Sequence, residues 1–417
     1  MIFSAPFLNY FTPQHRFTTF ATVIAFLLGF SLPTSNVLMH FLLVLALLCV
    51  FLRPNRHFIK ILAKNPLVWL PAVLFLLLLL SLLTQYDVYG VKMIYKYKKL
   101  LFILPLSLFF LMSRSLSKQF VKGFLLANAI ILFTSFLIWE FDLPLGTAYL
   151  SNPTVFKMHI TQNFFMALAV LIWLQQTFHH KGIKSGGYAL LTCLGVYNIF
   201  FMVQGRTGYL ALVVAFFTWI FLSCSKVHQL RMIIVALILG AVLVIVPNKA
   251  NVRMHTAIKE IQTCLAASQP NLLEACDTSM GLRTIFALRS WQLIKEAPIL
   301  GHGAGAFEHV SKQGNFIIHN PHNEYLIQTL QSGLLGLTVF LVWMWCFFRS
   351  ACQHPSEIKN MFIAVLMSYM ACHFFNSFLL DSSEGHLFVI LTAILASRSV
   401  HFKTPHHNQK NVDIGIH

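Results

Sequence analysis

The sequence predicts an all-α polytopic membrane protein of about twelve transmembrane helices, with one long outer loop that carries short helices. Three observations predict it. The 417 residues are 57% hydrophobic and only 10% charged, with a mean hydropathy of +0.71, and no water-soluble surface of this size could be built from them. Apolar runs of about 17 to 25 residues recur between charges or Pro/Gly breaks. Lys and Arg gather in alternate connections, as insertion across a bilayer requires.

Taken in order, the runs lie near 17–32, 35–52, 66–84, 98–113, 121–139, 159–177, 186–203, 207–223 and 231–247, then 326–348, 359–378 and 385–399. The chain thus divides into nine amino-terminal spans (1–247), a loop (248–325), three carboxy-terminal spans (326–400) and a short His-rich tail (401–417) expected to be disordered. The first run lacks a small-residue cleavage site and passes straight into the second, so it reads as a retained span. With the amino terminus inside, the inner connections hold Arg53, Arg56, Lys60 and Lys64; Arg114 and Lys118; Lys181 and Lys184; Lys226 and Arg231; and Arg349 and Lys359. Outer connections carry Glu140 and Asp142, or Asp381 and Glu384. Both termini then lie on the inner, cytoplasmic side.

The net charge of +17 raises the question of nucleic acid, but the basic residues are scattered through short connections rather than set on one solvated face. Nucleic acid is therefore not an expected partner; membrane lipids and phosphates are. Two outer segments break the charge rule. Lys92, Lys96, Lys98 and Lys99 crowd GVKMIYKYKKLL; they either snorkel to lipid phosphates or anchor a phosphate-bearing ligand. Arg206 sits in a tight Gly205-Arg206-Thr207-Gly208 turn, from which side-chain length alone does not reach water, so a partner anion is expected. The eight cysteines form no CxxC or zinc spacing, and Cys49, Cys193, Cys346 and Cys372 lie in apolar runs. Cys264 and Cys276 share the polar loop; in an oxidising outer compartment they could close it, or they could pack as thiols.

Polar chemistry concentrates between Gly281 and Leu326. Leu282 to Glu296 has helical periodicity and Pro298 stops it. Arg283 and Arg289 point about 240° apart on that helix, so only one of them can line a given wall. Gly301-His302-Gly303-Ala304-Gly305 lacks the spacing and strand context of a dinucleotide loop; it either offers backbone N–H groups to an anion or simply reverses the chain. His319-Asn320-Pro321-His322-Asn323-Glu324-Tyr325-Leu326 follows, and His322 and Asn323 are expected to open the next helix at the water–lipid boundary. Histidine titrates near neutrality and can take a proton from a sugar hydroxyl. The spacing of His302, His319, His322 and Glu324 fits no established ligand pattern, so no metal and no cofactor is expected.

These residues resemble the O-antigen ligases and their relatives in the O-antigen ligase/polymerase superfamily. The carriers are Arg283 with Trp291 and Lys295-Glu296-Ala297-Pro298, then ILGHGAGAF, then HNPHNEYL, with Arg206 in GRTG matching an upstream outer arginine. The resemblance implies a GT-C-like membrane glycosyltransferase in the bacterial inner membrane. Such an enzyme moves a glycan from undecaprenyl pyrophosphate to a hydroxyl, usually on lipid A–core, in the periplasm and without a metal. It implies His322 as general base and Arg206 and Arg283 as pyrophosphate ligands, with Asn323, Glu324, His319 and Arg289 in support. The sequence departs from the family at His302, between glycines, and at Asn320-Pro321, between two histidines.

The residue inventory fits that chemistry on its own terms, since a pyrophosphate leaving group needs fixed cations at one end and a base at the other. Direct attack would invert the anomeric centre, and the four lysines could hold the acceptor lipid. O-antigen polymerases and protein oligosaccharyltransferases share the motifs and leave the acceptor open. A twelve-span transporter is the reading from another class; it would place its polar site near mid-membrane between repeated halves, and no repeat is visible.

Overall fold

A computed structural model describes residues 13–403 except 54–55, 85–87, 144–151, 224, 228, 232, 235–248, 268–271 and 314–319. The described residues are overwhelmingly helical and contain no strand. The amino-terminal part comprises α1 (Pro13–Thr34), α2 (Asn36–Leu52), α3 (Arg56–Ala63), α4 (Pro66–Thr84), α5 (Val88–Tyr97) and a 3-10 turn (Lys98–Phe102). It continues with α6 (Ile103–Leu111), α7 (Arg114–Phe141), α8 (His159–His179), α9 (Ile183–Tyr197) and, after a π-helical turn (Asn198–Met202), α10 (Arg206–Ser223). Between α10 and the carboxy-terminal helices lie α11 (Lys249–Ala266), α12 (Ser279–Glu296) and α13 (Ala306–Gln313); the chain then forms α14 (Glu324–Ala351), α15 (Ser356–Cys372) and α16 (Ser382–Lys403).

Six described helices are long and apolar enough to cross a membrane: α1, α4, α7, α9 with its π turn, α10 and α14; α2 and α3 taken together make a seventh. That is fewer than the twelve runs counted in the sequence, and the shortfall has local causes. The run at 98–113 is split into a five-residue 3-10 turn and a nine-residue helix. The runs at 159–177 and 385–399 lie in helices α8 and α16, whose ends add Gln and His or Ser, Glu and Lys to the apolar centre. The run at 359–378 ends as helix at Cys372. Of the run at 231–247 only Arg231, Ile233 and Ile234 are described, and the tail from 404 lies outside the described residues, whereas α16 extends through the first three residues assigned to that tail.

Helices approach closely where small residues permit it. In α1 and α7, a Cβ on Gly29 would lie 1.9 Å from the Phe120 carbonyl oxygen, and one on Gly123 would lie 1.9 Å from that of Phe26. The two backbones therefore touch without side chains between them. Helix α8 is the central strut: every residue from Gln162 to Leu171 is buried. Its Asn163 donates Nδ2 to the carbonyls of Val203 (3.2 Å) and Gly205 (3.4 Å), which fixes the turn leading into α10.

The connections sort into two sets by what they touch. One set joins Arg398 to Ser117, Ser350 to Ser399, Asn360 to Leu222 and Ser223, and His179 to Glu357. The other joins Lys157 and Ser383 to Asn36, Gln204 to Asn152, Asn376 to Thr207, Asn323 to Phe374, and Lys99 to Leu380. Helix starts of α2, α10, α14 and α16 and the helix end of α15 all belong to the second set.

Candidate functional site

Arg206 is the first residue of α10. The preceding turn is held from several sides. The Val203 N–H closes a π-type bond on the Asn198 carbonyl (2.9 Å), the Gln204 N–H donates to Asn152 Oδ1 (3.0 Å), and Asn163 holds the carbonyls of Val203 and Gly205. Gly205 and Gly208 are required here, since a Cβ at Gly208 would lie 2.4 Å from that of Asn163. Backbone N–H groups at a helix start add partial positive charge to the guanidinium.

Helix α12 runs from Ser279 to Glu296, three residues earlier than the periodicity predicts, because the Thr278 side chain accepts the Gly281 N–H and caps it. Cys264 of α11 is disulfide-bonded to Cys276, two residues before that cap. Arg283 is half-buried on α12 and donates Nη1 to Ser279 Oγ (2.8 Å) and to the Ser279 carbonyl (3.1 Å). Its pKa is lowered by burial and then by the charge of Arg206, while Glu260 acts in the opposite sense. Arg206 and Arg283 therefore share one electrostatic neighbourhood. Arg289 faces solvent and donates to Gln292 at 3.2 Å, so α12 contributes one arginine to this wall and one to the far side.

His322 stands at the foot of α14, on a residue with φ +51°. A left-handed histidine is uncommon; here the Asn320 side chain secures it by accepting the His322 N–H at 2.7 Å. The imidazole stacks on Phe286 of α12 with ring centroids 6.3 Å apart and planes 22° apart. Burial and then the charge of Arg283 push its pKa down to about 4, so the ring is neutral at neutral pH and one nitrogen can accept a proton. Asn323 is the N-cap of α14: its Oδ1 accepts the Leu326 N–H (3.0 Å) and its Nδ2 donates to the Phe374 carbonyl (3.0 Å). Residues 321–323 thus connect the ring to a fixed helix start.

Glu324 is two residues from His322 yet faces elsewhere. Fully buried, it accepts the hydroxyl of Tyr97 (2.9 Å), Nε2 of Gln328 (2.7 Å) and the N–H of Leu379 (3.0 Å). All of these partners are donors, and they tie α5, α14 and the α15–α16 connection together. His319 lies outside the described residues.

The lysine cluster is not one surface. Lys92 and Lys96 are exposed on α5, and Lys98 sits 3.4 Å over the Tyr95 ring. Lys99 is buried, 3% exposed, and donates to the carbonyls of Leu380 and Asp381. The expectation that it anchors a lipid phosphate is therefore corrected: the 3-10 turn at Lys98–Phe102 rotates Lys99 inward, where it binds backbone carbonyls.

The glycine turn also departs from one expectation. Helix α14 is broken at Ser332 and Gly333 (φ +61°), and the strand of chain after α12 docks into the break. The His302 and Gly303 N–H groups donate to the carbonyls of Leu330 (2.7 Å) and Gln331 (3.0 Å). In return the Leu334 and Leu335 N–H groups donate to the carbonyls of Pro298 (2.8 Å) and Ile299 (3.3 Å). The Ala304 N–H donates to Ser81 Oγ (2.9 Å). Groups orphaned by a kink in an apolar setting must be satisfied by protein, so these N–H groups serve α14 and not an anion. Nε2 of the His302 ring lies 2.7 Å from the Leu293 carbonyl in the last turns of α12, a structural role.

The residue the motifs did not flag is Glu260 of α11. Its Oε2 accepts the Met280 N–H at 2.9 Å and lies 3.8 Å from Nη2 of Arg206. An acid four residues before Cys264, in a chain with only 13 acidic residues, was the available signal.

No curated protein matches the chain. Residues 189–341 match the family model described as O-antigen ligase, and that stretch contains Arg206, Glu260, Arg283 and His322. Through this region, rather more than a third of the chain, the protein is similar to the O-antigen ligase family.

Proposed function

We propose that the protein transfers a glycan from undecaprenyl pyrophosphate to a hydroxyl of lipid A–core at the outer face of a bacterial inner membrane. The observation that carries the reading is the meeting of three distant segments: Arg206 acts on Arg283, and Arg283 acts on His322, whose ring is neutral and stacked on the same helix as Arg283. Two like charges held together in a half-buried site repel, and the one Glu260 carboxylate, 3.8 Å from Arg206, offsets that repulsion only in part. A diphosphate carries more charge, and planar guanidinium forks match its oxygens.

In the reaction His322 accepts the proton of the acceptor hydroxyl as its oxygen forms the new bond to the anomeric carbon. The bond from that carbon to the diphosphate oxygen breaks, and undecaprenyl diphosphate departs with the electron pair, its charge countered by Arg206 and Arg283. A direct displacement inverts the anomeric configuration. The bound donor also helps the base: its negative charge offsets the nearby arginine, the smaller of the two causes that hold the imidazole pKa down, while burial continues to act against the charged ring. None of these steps uses a metal.

The sorted connections favour the orientation set by Lys and Arg. Segments read as inner touch one another at one end of the bundle, and those read as outer touch at the end that bears Arg206 and His322. That arrangement favours a periplasmic site in the outer segment 248–325 with both termini cytoplasmic. Exposed Lys92 and Lys96 lie on α5, whose Gly90 packs against Ala304 and Gly305, and would meet the phosphates of the acceptor.

The test is a deletion strain complemented with wild type or His322→Ala, read by lipopolysaccharide gel together with the level of the lipid-linked intermediate. Wild type is expected to restore long glycan on the core, and His322→Ala to leave bare core with accumulated donor. Core capped with single units in the uncomplemented strain would instead identify a polymerase.

A further inference from the structure

Glu260 stands between the start of α12 and Arg206. Its carboxylate is anchored to α12 by a hydrogen bond from the Met280 N–H (2.9 Å), whereas the approach to Arg206, 3.8 Å, exceeds hydrogen-bond reach. The side chains of Arg206 and Glu260 are 25% and 16% exposed, and the guanidinium nitrogens of Arg206 are covered, so Arg206 has to turn away from Glu260 to meet a ligand. One helical turn beyond Glu260, Cys264 is bonded to Cys276, which pins α11 against the start of α12. The carboxylate is thus held rigidly by one neighbour and loosely by the cation.

From this we infer that Glu260 is a positioning residue that serves as a resident counter-ion: it balances Arg206 and Arg283 in the empty site, yields Arg206 to the donor's diphosphate, and recaptures it when undecaprenyl diphosphate leaves. The inference rests on the reading of Arg206 and Arg283 as diphosphate ligands. A diphosphate carries more charge than a carboxylate and can bridge both guanidinium groups, so it wins the exchange. The remaining like-charge repulsion from Glu260 weakens the grip on a spent leaving group. A site with two bare arginines would bind its product too well.

The experiment uses full-length protein in detergent, inorganic pyrophosphate as the probe, and calorimetry. Glu260→Gln keeps an oxygen for the Met280 N–H and removes only the charge. It is expected to bind pyrophosphate on the order of tenfold more tightly, the effect of removing one partly buried charge contact. In steady-state transfer the donor KM should fall and kcat should fall with it, because product leaves more slowly. Equal or weaker binding by Glu260→Gln, with binding reduced in Arg206→Gln and Arg283→Gln, overturns the counter-ion role alone. Binding that is unchanged or absent in all four proteins overturns the diphosphate reading as well. If Glu260→Gln does not fold, Glu260→Asp draws the charge back by one methylene and should tighten binding by a smaller factor; no tightening overturns the role.

Discussion

Two glycine turns do opposite work. Gly301–Gly305 is the more conspicuous in the sequence, with three glycines at φ +71°, +87° and +82°, yet its N–H groups at 302 and 303 are consumed by the broken helix α14. The Gly205–Gly208 turn has two glycines and one arginine; its backbone is satisfied from behind by Asn152 and Asn163, which leaves Arg206 projecting toward Glu260 and Arg283. The lesson is one of accounting: a glycine-rich loop is an anion site only if its donors are not already owed to another element.

The comparison can be broken where each turn matters most. Arg206→Lys and Arg283→Lys should each lower transfer by roughly one to two orders of magnitude, because an ammonium replaces the charge but not the fork. Transfer rates on donor-loaded membranes check this, and wild-type rates in either variant would remove the distinction between the turns. Gly333→Ala acts on the other turn through stability. Its Cβ would lie 2.0 Å from the Ile299 carbonyl at φ +61°, so a loss of roughly 2 kcal/mol or more is expected, read as a lower unfolding temperature with little change in activity per folded molecule. Arg289→Ala, on the solvent side of α12, should leave transfer and thermal stability unchanged within error.

Much of this was legible in the residues, and the remainder shows why some was not. The helix containing Arg283, its stop before Pro298 and the opposed directions of Arg283 and Arg289 follow from 3.6-residue periodicity. Asn323 as a helix cap follows from the Asn-Pro-His-Asn pattern. Lys99 did not follow, since a 3-10 turn within an apolar run reorients a side chain without any change in composition. The break in α14 was equally hidden: one glycine in an apolar run is common in membrane helices, and only the docking of residues 298–303 makes it a kink. Glu324 stands inside the HNPHNEYL motif but bonds away from the site, to Tyr97 and Leu379, a contact between positions more than 200 and more than 50 residues apart. Helices too short or too polar at their ends, the bent α2–α3 pair and a run largely outside the described residues account for the difference between twelve apolar runs and six long apolar helices among the described residues.

The most direct test of the central claim is transfer by purified full-length His322→Ala from a synthetic undecaprenyl-pyrophosphate glycan to lipid A–core, with donor binding measured on the same sample. The account predicts donor bound as tightly as by wild type and transfer reduced by at least about 100-fold, the loss of a general base. Transfer at the wild-type rate with donor bound would contradict it.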